Sequence, residues 1–98
     1  MIIPVKTSSG NYDIILERGA INKSGEYLNL ERKVLIVTDS GVPTEYSSTV
    51  AANCKTPYTV TVEQGESSKN IKSFELLLSK LVEYGFTRSD CIVAVGGG

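Results

Sequence analysis

Three short stretches hold the residues best suited to chemistry: Thr38-Asp39-Ser40-Gly41, Gly65-Glu66-Ser67-Ser68-Lys69 and Gly96-Gly97-Gly98. Asp39 has the chemistry to accept hydrogen bonds from ribose hydroxyls, the part acidic residues play at strand ends in dinucleotide folds. An Asx turn, or a helix cap ahead of Pro43, accounts for the same residue without any ligand. Gly96, Gly97 and Gly98 would let backbone N–H groups approach a phosphate with no Cβ in the way; a plain turn or connection is the alternative. Glu66 and Lys69 bracket the start of a helix. An acid there is favoured by the helix dipole, whereas a lysine opposes it at a cost of roughly 0.3–1 kcal/mol. A bound anion would offset that cost, because lysine serves phosphate as a mobile point charge. A solvated lysine remains the other reading.

These stretches matter only if the fold brings them together. The first segment reads as two short strands, Ile2 to Lys6 and Tyr12 to Glu17, around a turn in which Gly10 and Asn11 tolerate positive φ. Ala20 to Leu28 reads as a short helix weakened by Gly25. From Lys33 the pattern changes: Val34-Leu35-Ile36-Val37 is a continuous apolar run, as expected of a strand covered on both faces. Pro43 suits the first turn of a helix reaching about Asn53. Tyr58 to Val62 is a β-branched and aromatic strand. Ile71, Phe74, Leu77, Leu78, Leu81 and Val82 recur at three- and four-residue steps and predict an amphipathic helix that Gly85 stops. Cys91 to Val95 is a third strand, running straight into the three glycines.

Strand, helix, strand, helix, strand is the order of a parallel sheet built from βαβ units. The expected class is α/β, a Rossmann-like parallel sheet with helices on both faces and an N-terminal β-hairpin. Right-handed crossovers return each strand in the same direction, so all three C-terminal ends lie along one sheet edge. Ligands of open α/β sheets bind beyond that edge. There Asp39, Gly65, Glu66, Lys69 and Gly96 to Gly98 would share one rim and form a nucleotide site.

Composition removes several other functions. The 98 residues carry a formal net charge of -1 with dispersed lysines and arginines, so there is no basic patch for nucleic acid or an anionic membrane. No histidine is present, which excludes a Cys/His catalytic pair within these residues and leaves a metal site to be built from carboxylates. Cys54 and Cys91 have no CxxC spacing and read as small buried or half-buried residues, with a disulfide between them left open. The start lacks the layout of a signal peptide and no apolar stretch is long enough for a bilayer, so a cytoplasmic location is expected.

Taken together, Thr38-Asp39 closing the first core strand, Gly65-Glu66-Ser67-Ser68-Lys69 (GExxK) after the second and Gly96-Gly97-Gly98 after the third resemble 3-dehydroquinate synthase. The hairpin lead-in ending in "YDIILERG" is similar too. The resemblance covers the whole chain but only the family's N-terminal NAD-binding region, in which the glycines continue as GGGxxGD. It implies that residues 1–98 are the first part of a larger two-domain enzyme of aromatic amino acid biosynthesis. That enzyme, a lyase of the shikimate pathway, converts the sugar phosphate DAHP to 3-dehydroquinate. It uses NAD for transient oxidation, which permits phosphate elimination, together with a divalent metal, zinc or cobalt. Carried over, Asp39, Gly65, Glu66, Lys69 and Gly96 to Gly98 would contact NAD. Catalytic residues and metal ligands, a Glu and two His, would come from the later part, with none in residues 1–98. The parent is expected to be a homodimer.

Two departures stand out: Gly41 where the family often has Asn, and Glu63 near the place of a common proline. Other sugar-phosphate cyclases share the same pattern, and glycerol-dehydrogenase-like metal dehydrogenases share the fold without the GExxK. A non-catalytic α/β binding module is the reading from a different class. The 98 residues alone are expected to lack synthase activity, to bind NAD weakly or not at all, and to self-associate through apolar surface around Cys91 to Val95.

Overall fold

The computed structural model describes residues 1–64 and 71–96. Strands β1 (Ile2–Thr7) and β2 (Gly10–Ile15) form an antiparallel hairpin. Thr7 pairs with Gly10, so the turn is only Ser8-Ser9. Gly10 takes the positive φ, at 143°, and Asn11 does not: it lies in the strand opposite Lys6. The expected five-residue loop is therefore tighter, because Thr7 Oγ1 closes it by donating to the Gly10 carbonyl.

Ala20–Lys23 is a 3-10 turn that runs into one α-helical turn, α1 (Ser24–Tyr27). Gly25 has a packing reason. Its N–H donates to Asn53 Oδ1 at 3.1 Å, and a Cβ there would lie 3.0 Å from the same oxygen. What reads as a weak helix former is the contact point between α1 and the end of the next helix.

The remaining elements are β3 (Lys33–Asp39), α2 (Thr44–Ala52), β4 (Thr56–Val62), α3 (Ile71–Glu83) and β5 (Cys91–Val95). All three strands are parallel, in the order β4-β3-β5. β3 is central, which explains its continuous apolar run: Val34, Leu35 and Ile36 are fully buried. Pro43 sits at the N-cap of α2 with ψ 134°, one residue before the first turn in which the sequence placed it. Register fixes the two faces of the sheet. Val34 and Ile36 pack with Leu30 and with Val50 of α2, and Cys91, Val93 and Val95 of β5 lean on this core. On the other face Tyr58, paired with Leu35, stacks on Tyr84 just beyond α3 at a 4.0 Å centroid distance.

The C-terminal end of α3 closes on Gly85. Gly85 takes φ 68°, its N–H donates to the Val82 carbonyl and the Phe86 N–H to that of Leu81, the Schellman arrangement. Lys33 Nζ adds a cation there, donating to the carbonyls of Tyr84 and Gly85 at 2.9 and 3.2 Å. Gly85→Ala should cost about 1–2 kcal/mol, the penalty of a left-handed conformation on an L side chain. A lowered urea midpoint at unchanged slope checks it.

The apolar arc of α3 is wider than the surface it meets. Leu77 and Leu81 are half-buried, while Ile71, Phe74, Leu78 and Val82 remain exposed, Val82 at 81%. β5 likewise leaves one face open, with Ile92 57% exposed. Apolar surface is thus open at Cys91 to Val95 among the described residues, as expected from the sequence.

Candidate dinucleotide site at the carboxyl edge of the sheet

Asp39 ends the central strand, opposite Val62 of β4 and one step past the Thr38–Val95 pair. Gly96 follows Val95, so Asp39 and Gly96 end neighbouring strands. The structure therefore brings Asp39 and Gly96 to the same rim. Gly65, Glu66, Lys69, Gly97 and Gly98 lie outside the described residues, as do the contacts expected of them.

The β3–α2 loop is tied in place by its own short side chains. Asp39 Oδ1 accepts from the Gly41 N–H at 2.8 Å, and the Asp39 carbonyl accepts from Val42. This is the Asx turn, the ligand-free reading of Asp39, and no side chain caps α2. The turn uses one carboxylate oxygen; among the described residues Oδ2 has no hydrogen-bond partner. Ser40 then joins two loops. Its N–H donates to the Val62 carbonyl at 2.9 Å, and its Oγ accepts from the Gln64 N–H at 2.9 Å.

Gly41 lies against the Gln64 side chain, so close that a Cβ would fall 2.3 Å from Gln64 Cδ. Any side chain at this position would require the end of Gln64 to move. At Gly96 the opposite holds: a Cβ would meet nothing within 4 Å. Among the described residues the rim is crowded between β3 and β4 and open over β5.

The sequence assigns Thr38, Ser40 and Gln64 no role of their own, because hydroxyl and amide residues at strand ends are common and carry no spacing signal. Thr38 is 6% exposed and its Oγ1 donates to the Val95 carbonyl at 2.9 Å, anchoring the residue just before Gly96. Thr38→Val should cost about 1 kcal/mol, from one net hydrogen bond with part of the carbonyl's desolvation uncompensated. Hydrogen exchange at the end of β5 should speed up while exchange in β4 stays unchanged.

The start of α2 is a poor place for an anion. Pro43 offers no N–H, and Glu45 occupies the first turn. Among the described residues no group of three or more His, Cys, Asp or Glu could hold a metal ion. Cys54 and Cys91 are both free thiols, and burial, followed by the charge of Cys91, pushes the Cys54 thiol above its ordinary pKa. Neither is placed as a nucleophile.

Comparison with known proteins decides what this rim belongs to. The family model of the 3-dehydroquinate synthase N-terminal region matches residues 59–98, the stretch from β4 through the glycines. Curated 3-dehydroquinate synthases match almost the whole chain. That of Clostridium acetobutylicum is 31% identical over 98% of it, that of Streptococcus sanguinis 38% over 89%, and that of Methylacidiphilum infernorum 33% over 100%. The chain corresponds to the N-terminal region of the 3-dehydroquinate synthase family. It spans less than a third of those relatives, covering 29%, 26% and 29% of their lengths. Among solved structures, a 2-deoxy-scyllo-inosose synthase complexed with carbaglucose-6-phosphate, NAD+ and Co2+ superposes with a TM-score of 0.83. It covers 99% of this chain and 28% of its own, at 17% identity, so the likeness is one of fold. The expected Rossmann-like class with its N-terminal hairpin is the one observed. No helix among the described residues is long and apolar enough to cross a membrane.

Proposed function

We propose that residues 1–98 form the N-terminal NAD-binding portion of a two-domain 3-dehydroquinate synthase, which converts DAHP to 3-dehydroquinate with loss of phosphate. One observation carries the reading: a chain matching this family ends two neighbouring parallel strands on Asp39 and on the open space over Gly96. Those residues fit a dinucleotide. Asp39 keeps Oδ2 for ribose hydroxyls while Oδ1 holds the turn. Gly96 gives the backbone close access to the diphosphate, which Gly97 and Gly98 would extend. Lys69 would contribute a cation and Glu66 a second acceptor, with Gly65 allowing approach between them. Bound NAD would supply a reversible hydride acceptor for a substrate hydroxyl.

Residues 1–98 contain no histidine, so the His ligands of a zinc or cobalt site would be supplied from outside them. A cytoplasmic homodimer acting on a sugar phosphate fits the same reading. Identities of 31–38% to the synthases, against 17% to the inosose synthase, favour the former among sugar-phosphate cyclases.

The test is phosphate release from DAHP by the full-length protein in the presence of NAD and a divalent metal. Release of inorganic phosphate without net NADH is expected. Accumulation of NADH on a simple polyol, with no phosphate released from DAHP, would assign the protein to the metal dehydrogenases instead.

A further inference from the structure

Gly41 is not required to be glycine by its own backbone. Among the described glycines only Gly10, Gly19 and Gly85 take positive φ, so the conformation at Gly41 is open to an L side chain. What stands in the way is the carboxamide of Gln64. The three heavy atoms nearest a Cβ on Gly41 would be Gln64 Cδ, Nε2 and Oε1, all within 2.6 Å. The end of the Gln64 side chain thus fills the place that a side chain on Gly41 would take.

Backbone contacts bring Gln64 there. β4 ends at Val62, whose carbonyl accepts from the Ser40 N–H at 2.9 Å. The Gln64 N–H then donates to Ser40 Oγ, also at 2.9 Å. From this anchor the side chain lies over Gly41, whose own N–H holds Asp39 Oδ1 at 2.8 Å. Carboxylate and carboxamide therefore rest on the same residue, beside the end of the central strand. Among the described residues neither Asp39 Oδ2 nor the Gln64 carboxamide has a hydrogen-bond partner, and Gln64 is exposed.

We propose that the Gln64 carboxamide is a second binding group for the ribose hydroxyls, supplied from the β4 loop into the space over Gly41. The inference rests on the dinucleotide reading of this rim and adds a residue to it. A carboxylate can only accept hydrogen bonds, whereas a carboxamide offers two N–H donors and one acceptor oxygen. Side by side they match a vicinal diol, in which each hydroxyl both donates and accepts. Asp39 Oδ2 accepts from one hydroxyl, and the Gln64 amide donates to the oxygen of its neighbour. A neutral amide also sets no second negative charge against Asp39, as a glutamate would. Asp39 supplies the charge, and Gln64 supplies the donor that a carboxylate lacks.

Calorimetric titration of NAD into the full-length protein, beside thermal melts, tests the proposal. Gln64→Leu keeps the backbone bond to Ser40 and removes the amide. It should weaken NAD binding about 3- to 10-fold, the loss of one neutral hydrogen bond, at unchanged melting temperature. Gly41→Ala, which forces the carboxamide out of its place, should weaken binding to a similar degree. The sharpest variant moves the amide to the other loop. Gln64→Ala clears the space, and Gly41→Asn in that background returns a carboxamide to it. The double variant should recover most of the affinity that Gln64→Ala alone loses. Saturable binding by the parent, matched by Gln64→Leu and Gln64→Ala, would overturn the role of Gln64 and leave that of Asp39 standing. A loss that Gly41→Asn does not restore, in a protein of unchanged melting temperature, would overturn it too. A folded parent with no saturable NAD binding would overturn the dinucleotide reading, and this inference with it.

Discussion

Asp39→Asn is expected to lower the NAD affinity of the full-length protein about 10- to 100-fold, the loss of one or two charge-assisted hydrogen bonds. Asparagine separates the two roles of this residue. Its Oδ1 can still accept from the Gly41 N–H, so the Asx turn and the fold survive. What disappears is the negative charge on the oxygen with no partner among the described residues, and in its place an amide N–H faces the rim. If Asp39 serves only the turn, Asn will bind NAD as well as the parent does and melt at the same temperature. Asp39→Ala provides the contrast. It removes the turn as well, so it should lower both affinity and stability, the latter by about 0.5–1.5 kcal/mol. Calorimetric titration beside thermal melts reads both quantities.

Ile36→Ala should have the largest effect on stability, about 2–5 kcal/mol. Ile36 is fully buried at the middle of the central strand, between Thr59 of β4 and Val93 of β5 in register, and packs with Val34, Leu30 and Val50. A chain of this length has roughly 5–15 kcal/mol in total, and its buried apolar core among the described residues is small: Leu30, Val34, Leu35, Ile36, Val50 and Val60. Losing one of these six side chains should leave much of the population unfolded at 37 °C. Ile36→Val, which removes a single methyl group, should cost only about 0.5–1.5 kcal/mol. Urea unfolding of the pair checks the gradation. Equal losses for both variants would mean that backbone disruption, and not the cavity, sets the cost.

The features legible in the sequence are those with a period or a fixed partner type. The run Val34 to Val37 has to be a covered strand because nothing polar interrupts it, and it is the central strand. Gly85 had to stop α3 because only glycine takes φ 68° without strain. The rim followed from parallel connectivity alone, which places Asp39 beside Gly96 although 57 positions separate them.

What was not legible depends on contacts between elements. Gly25 reads as a helix defect until Asn53 is seen to approach it. Leu77 and Leu78 are adjacent and equally apolar, and only the placement of α3 on the sheet makes the first half-buried and the second 45% exposed. Thr38 and Ser40 are ordinary residues by type. They matter because one holds the end of β5 and the other ties the Asp39 loop to β4.

Titration of NAD into the full-length protein tests the central claim most directly. Saturable binding is predicted, weakened by Asp39→Asn at unchanged melting temperature. The absence of saturable NAD binding in a folded protein, with metal and substrate analogue supplied, would contradict it.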